Sequence, residues 1–161
     1  MPTYQAPVRD MNFLLNDFLE IGKYQNLPGF EDVTPDLTSA ILTEGAKIAE
    51  EVLFPLNQSA DEEGCHFDDG AVTTPKGFKE AYKTYTEGGW AGLTASPDHG
   101  GQGLLKVVAV AFAEMTTAAN LSFGTYPGLG RGVYEAIGAH GSDEQKDTYM
   151  SKLANGEWSG T

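Results

Sequence analysis

Met11, Leu14, Leu15 and Phe18 recur at i, i+3, i+4 and i+7, so the chain opens on an amphipathic helical pattern. Asp10 stands where a cap belongs, and Gly22 or the cluster Asn26-Leu27-Pro28-Gly29 closes the pattern. The preceding Tyr4-Gln5-Ala6-Pro7-Val8-Arg9 reads as an extended lead-in. A second pattern runs from Pro35 to at least Phe54. Thr34-Pro35 starts it with a cap and a proline at the first helical position, where no backbone donor is missed. Its apolar residues form two stripes, Leu37, Ile41, Ile48, Val52 and Leu42, Ala46, Ala49, Leu53, as expected of a helix contacted on two sides. Pro55 should kink or end it, because its ring clashes with the preceding turn.

Residues 61–73 are polar and hold two turns, Asp68-Asp69-Gly70 being the clearer. Thr74-Pro75 repeats the cap-plus-proline device and predicts a helix to about Glu87, stopped by Gly88-Gly89. A glycine-rich corner follows, Trp90 to Leu104. Leu104 to Ala119 then has no Gly or Pro and is apolar nearly all round, which at that length predicts a buried central helix. Residues 121–138 read as a helix studded with glycines. Ser142-Asp143-Glu144-Gln145 fits a capping box opening a helix to about Leu153, ended by Asn155-Gly156. Six helical patterns and no convincing strand predict an all-α helical bundle with a short N-terminal arm. The arm is placed at 1–32 and the helical domain at 33–157.

Charge narrows the partners. A formal net charge of −13 on 161 residues opposes sequence-independent nucleic-acid binding and docking on anionic lipid. A lone cysteine, Cys65, forms no intramolecular bridge and fits a reducing, cytoplasmic setting. The most apolar run, Leu104 to Ala113, is interrupted by Lys106 and is far shorter than the ~20 residues a bilayer span needs.

The motifs offer little independent chemistry. Gly100-Gly101-Gln102-Gly103 matches neither a P-loop nor a dinucleotide loop, and no strand leads into it. It reads as a tight helix-to-helix connection. His99 beside Asp98 lacks a nucleophile elbow and reads as a loop histidine. The group Asp61, Glu62, Glu63, Cys65, His66, Asp68, Asp69 fails the calcium-loop template and lacks a zinc donor set, so no metal ligand is assigned. Gly124, Gly128 and Gly132 carry more weight. Spaced by four, they share one helix face, and each weakens the helix by up to ~1 kcal/mol relative to alanine. Something therefore approaches that face closely: another helix backbone, or a slender ligand in a trough.

Gly89-Trp90-Ala91-Gly92-Leu93, Pro97-Asp98-His99-Gly100-Gly101-Gln102-Gly103-Leu104 and Ala113-Glu114-Met115, in that order, resemble the pattern of the acyl-CoA dehydrogenase family. Ile137-Gly138-Ala139-His140-Gly141-Ser142-Asp143-Glu144-Gln145-Lys146, with Tyr149-Met150, Leu153 and Gly156-Glu157, is similar to the family's next marker. The lead-in YQAPVRDMNFLLND resembles the N-terminal arm of a larger subgroup that includes the 3-methylmercaptopropionyl-CoA dehydrogenases, although Leu105 stands where that subgroup often has proline. The resemblance implies FAD-dependent α,β-desaturation of an acyl-CoA thioester, with electrons passing to electron-transfer flavoprotein, in a homo-oligomer when full length. It also implies that the catalytic glutamate and the main flavin contacts lie beyond Thr161, so no catalytic or cofactor-binding residue is assigned here. Glu114 is a helix-face carboxylate, and 158–161 begins a missing middle β domain. What remains is one wall of the acyl pocket, which the resemblance places at Gly124, Thr125, Gly128, Leu129 and Gly132. An acyl-CoA oxidase, a flavin monooxygenase or a helical interaction module without chemistry are the alternative readings.

Overall fold

Ala6 donates its backbone N–H to the Glu50 carboxylate at 2.7 Å, and this bond ties the start of the chain to the middle of the bundle. The computed structural model describes residues 3–160. With the lead-in anchored, α1 (Val8–Asn12) begins earlier than the sequence suggests; Pro7 precedes it, and Asp10 lies in its first turn rather than at the cap. The helix continues through a π-type segment, Phe13–Phe18, where Leu19 N bonds Leu14 O at 2.8 Å. Stretching the ladder to i+5 rotates the stripe. Met11 and Leu15 stay buried, while Leu14 and Phe18 are exposed.

α2 (Pro35–Lys47) is capped as expected, the Thr34 hydroxyl accepting from Leu37 N at 3.1 Å. A second π-type segment, Ile48–Leu53, then leads directly into α3 (Phe54–Glu63), with Pro55 in its first turn. Phe54 N reaches back to Ala49 O. The ladder thus slips one residue just before the proline, which lacks a donor, and the helix does not end there.

The chain forms the expected all-α bundle, with one small hairpin that the sequence did not show. β1 (His66–Asp68) and β2 (Ala71–Thr73) form an antiparallel hairpin, Phe67 opposite Val72. Asp69 and Gly70 turn it with φ of +41° and +80°, both positive as a tight hairpin turn requires. Both strands are fully exposed, so no buried alternation marked them in the sequence. Beyond the hairpin, Thr74-Pro75 does not start a helix. Phe78 N bonds Pro75 O in a turn at 3.2 Å, and Gly77, at φ +89°, caps α4 (Phe78–Glu87) instead.

The remaining helices are α5 (Lys106–Ala119), α6 (Leu121–His140) and α7 (Asp143–Ala154). α5 is the central helix: Val108, Ala109, Ala111, Phe112, Met115, Thr116 and Ala119 are all buried. It packs on α2, on the π-type segment and on α6, which in turn packs on α7. The ring of Phe112 lies where a Cβ on Gly45 would sit, 2.7 Å away, so that glycine lets α2 and α5 close up. Asn120 makes the corner between α5 and α6. It is 1% exposed, accepts from Phe123 N at 3.0 Å and donates to Leu53 O at 3.1 Å. The Ser142–Gln145 capping box starts α7 as the sequence indicates.

Candidate functional site

The glycine-rich corner is built from two short 3₁₀ turns, Trp90–Gly92 and Pro97–His99. Its backbone folds back on itself: Gln102 N bonds Gly92 O, Gly103 N bonds Ala95 O and Leu104 N bonds Leu93 O, at 2.8–2.9 Å. Gly101 N bonds Ser96 O at 3.0 Å, and a Cβ at Gly101 would overlap the Ala95 carbonyl. Amides consumed in this way leave no cradle for a phosphate. His99 Nδ1 lies 3.0 Å from the Tyr134 hydroxyl, which accepts from Ser96 N at 2.9 Å. These bonds dock the corner on α6 and thereby aim Trp90 and Thr94 at the face of α5.

There the two helices leave a trough. Tyr85, Trp90, Leu93, Thr94, Ala109, Phe112, Ala113, Thr116, Phe123 and Arg131 are among the residues around a cavity of about 160 Å³. Trp90 stacks on Phe112 at 4.4 Å between centroids, and Tyr85 contacts Phe112 and Phe123 at 6.0 and 5.7 Å. A second depression of about 280 Å³ continues along α6, sharing Thr94, Ala109, Gly128 and Arg131 and adding Lys106, Val110, Gly132 and Glu135.

The glycine stripe divides between its two readings. A Cβ on Gly124 would meet Thr117 Oγ1 at 3.3 Å and its Cα at 3.5 Å, so this glycine serves the approach of α5. Gly128 and Gly132 have nothing within 4 Å of that position and open onto the trough. Thr125 and Leu129 point elsewhere. Thr125 is exposed, its hydroxyl bonding Leu121 O at 3.0 Å, and Leu129 is 46% exposed outside the trough lining. Pro127, also in the lining, removes the amide that Phe123 O would accept from within α6.

Three lining groups were not legible as site residues in the sequence: Trp90, Tyr85 and Arg131. Tyr85 is 8% exposed, and burial pushes its hydroxyl well above the ordinary tyrosine range, against the opposing pull of the Arg131 charge. Arg131 makes no ion pair among the described residues, while the neighbouring Lys106 and Glu135 are paired at 2.7 Å. Glu114 lies outside the lining, exposed on α5 on the side of Tyr4, whose hydroxyl it helps to push up after burial. Asp61, Glu62 and Glu63 end α3 and His66 and Asp68 lie on β1; among the described residues no three acidic, His or Cys side chains group closely enough to hold a metal. A larger hollow of about 630 Å³ lies on the far side of Phe123, between α3, α4 and the start of α6.

Residues 36–157 match the family pattern described as "Acyl-CoA dehydrogenase, N-terminal domain". The chain belongs to the acyl-CoA dehydrogenase family. It is 38% identical over 159 residues to the 3-methylmercaptopropionyl-CoA dehydrogenase of Ruegeria pomeroyi, covering 99% of this chain and 27% of that relative. A butyryl-CoA dehydrogenase of Syntrophomonas wolfei is 32% identical over 163 residues, covering 98% of this chain and 26% of the relative. The broad-specificity linear acyl-CoA dehydrogenase FadE5 of Mycobacterium tuberculosis is 29% identical over 148 residues, covering 91% and 24%. The chain thus spans about a quarter of the length of these relatives. Acyl-CoA dehydrogenases use a flavin, and among the described residues the glycine corner offers its phosphates no cradle. The corner amides are consumed internally, and the exposed hairpin feeds no helix through a glycine loop. No helix among the described residues is long and apolar enough to cross a membrane.

Proposed function

We propose that this chain acts as the N-terminal helical domain of an FAD-dependent acyl-CoA dehydrogenase that desaturates an acyl-CoA thioester between Cα and Cβ. In this reading 1–32 is an arm, 33–157 the helical domain and 158–161 the entry to a middle β domain; Thr161 lies outside the described residues. Bound flavin would supply the hydride acceptor, while a base outside these residues takes the α-proton. The trough contributes the wall against which the acyl chain lies. Gly128 and Gly132 keep that wall low, Trp90 and Phe112 give it an apolar floor, and both exclude water from the reacting carbons. The observation that carries the reading is the open face at Gly128 and Gly132, a place where glycine costs helix stability and where no protein atom takes up the space. Gly124 belongs to the same wall; Thr125 and Leu129 lie on α6 outside the trough lining. Electron-transfer flavoprotein as acceptor, homo-oligomerisation and a cytoplasmic setting complete the proposal.

The test is Gly128→Phe in the full-length flavoprotein. A phenyl ring projecting into the trough should raise KM for acyl-CoA about tenfold or more, consistent with displacing a bound chain from an apolar slot, while flavin absorbance is retained. Unchanged turnover across acyl lengths would remove the trough from the substrate's path.

A further inference from the structure

The following rests on the trough being an acyl wall. Its lining mixes apolar side chains with the hydroxyls of Thr94, Thr116 and Thr117, and it includes two donors without protein partners. The Tyr85 ring is more than nine-tenths buried and lines the cavity, while its hydroxyl bonds no described residue and keeps contact with solvent. Arg131 lines both the cavity and the adjoining depression and has no carboxylate within ion-pair distance among the described residues. Five of the ten Lys and Arg side chains form ion pairs among the described residues, and Arg131, exposed on the trough wall, is one of the five that do not. The nearest lining acid, Glu135, is already held by Lys106.

We propose that Tyr85 and Arg131 form a specificity pair that selects acyl chains ending in a carboxylate over alkyl chains of the same length. Both groups can donate at once, the phenol with one O–H and the guanidinium with a planar fork that fits a carboxylate. Neither a methyl terminus nor a thioether offers an acceptor of comparable strength. An alkyl chain entering the trough would displace water from the Tyr85 hydroxyl and leave it unpaired, which is how sites built for a polar group reject apolar analogues. Trp90, Phe112 and Phe123 would hold the methylene stem, leaving the two donors for the tip. Arg131 sits one helical turn beyond Pro127 and Gly128 on α6, which puts the open glycine and the charge on neighbouring turns of one wall.

The experiment uses the full-length flavoprotein and chain-matched thioesters: pentanoyl-CoA against glutaryl-CoA, and hexanoyl-CoA against adipoyl-CoA. Steady-state kcat/KM and calorimetric Kd are measured for each. The carboxylate-tipped member of at least one pair should be preferred about tenfold or more, the size of a charge-assisted hydrogen bond. Arg131→Gln should lower that preference about 10- to 100-fold, chiefly through KM and Kd, with Arg131→Lys restoring part of it. Tyr85→Phe should lower it by a smaller factor, about three- to tenfold. Arg131 is exposed, so its substitution tests the pair even if a change at Tyr85 disturbs folding. Preference for the alkyl ester in both pairs, or a ratio unmoved in Arg131→Gln, overturns the specificity pair while the acyl-wall reading stands. A flavin-loaded protein that neither binds nor oxidises any of the four thioesters overturns the acyl-wall reading itself, and the pair with it.

Discussion

Tyr85 shows how one side chain couples packing, charge and pH. Its ring fills the space between Phe112 and Phe123, and its hydroxyl, raised by burial, stays protonated above the ordinary tyrosine value of about 10. Below pH 10 the folded and unfolded chains both carry a protonated phenol, so the contribution to stability is constant. Above it the unfolded phenol ionises while the folded one holds its proton, and stability falls as pH rises further. Tyr82 and Tyr4 are raised by burial in the same direction. Urea denaturation between pH 9 and about 11 should therefore show declining stability, and Tyr85→Phe should flatten the decline. An equal slope in wild type and variant would mean that the hydroxyl is solvated.

At the scale of elements, the junctions organise the bundle more than the helices do. Asn120 joins three of them: its side-chain carbonyl caps α6 at Phe123 N, and its amide satisfies Leu53 O at the end of the π-type segment. Fully buried, it has no water to fall back on. Asn120→Ala should cost about 2–3 kcal/mol in chemical denaturation, combining a lost cap with a stranded carbonyl. A loss under half a kcal/mol would show that the corner is held by packing alone. Both π-type segments act in a similar way. Each slips the ladder by one residue, the first turning Leu14 and Phe18 outward and the second carrying the chain past Pro55.

For the whole molecule the informative surface is the one left uncovered. Val110 on α5 and Leu121, Tyr126 and Leu129 on α6 are between 46% and 62% exposed, and Trp158 is 39% exposed at the far end. Apolar side chains exposed along this helical hairpin, Val110 beside the trough and Tyr126 beside the hollow on its other side, mark surface that meets something else. In relatives roughly four times longer, other parts of the polypeptide are available to cover it. Residues 1–161 expressed alone should self-associate, and Val110→Thr with Leu121→Gln should shift sedimentation toward the monomer. A monodisperse monomer without these changes would contradict an unpartnered face.

The helical patterns of 35–53, 104–119 and 142–153 were legible because caps and 3.6-residue periodicity are local properties, written within a few residues of one another. So was the membership implied by the glycine corner and the Ser142 marker. Where α1 begins was not local, since Glu50 reaches across the bundle to hold Ala6. The passage through Pro55 was not local either, because a one-residue ladder slip leaves no mark in the apolar pattern. The glycine stripe gave a face but not its use, and only packing separated Gly124, pressed on Thr117, from Gly128 and Gly132, open to the trough. Tyr85, Trp90 and Arg131 stand on three different segments, and no spacing in the chain relates them. Tertiary structure alone brought them to one wall, because the corner folds back through its own amides and sets the angle at which α5 and α6 meet.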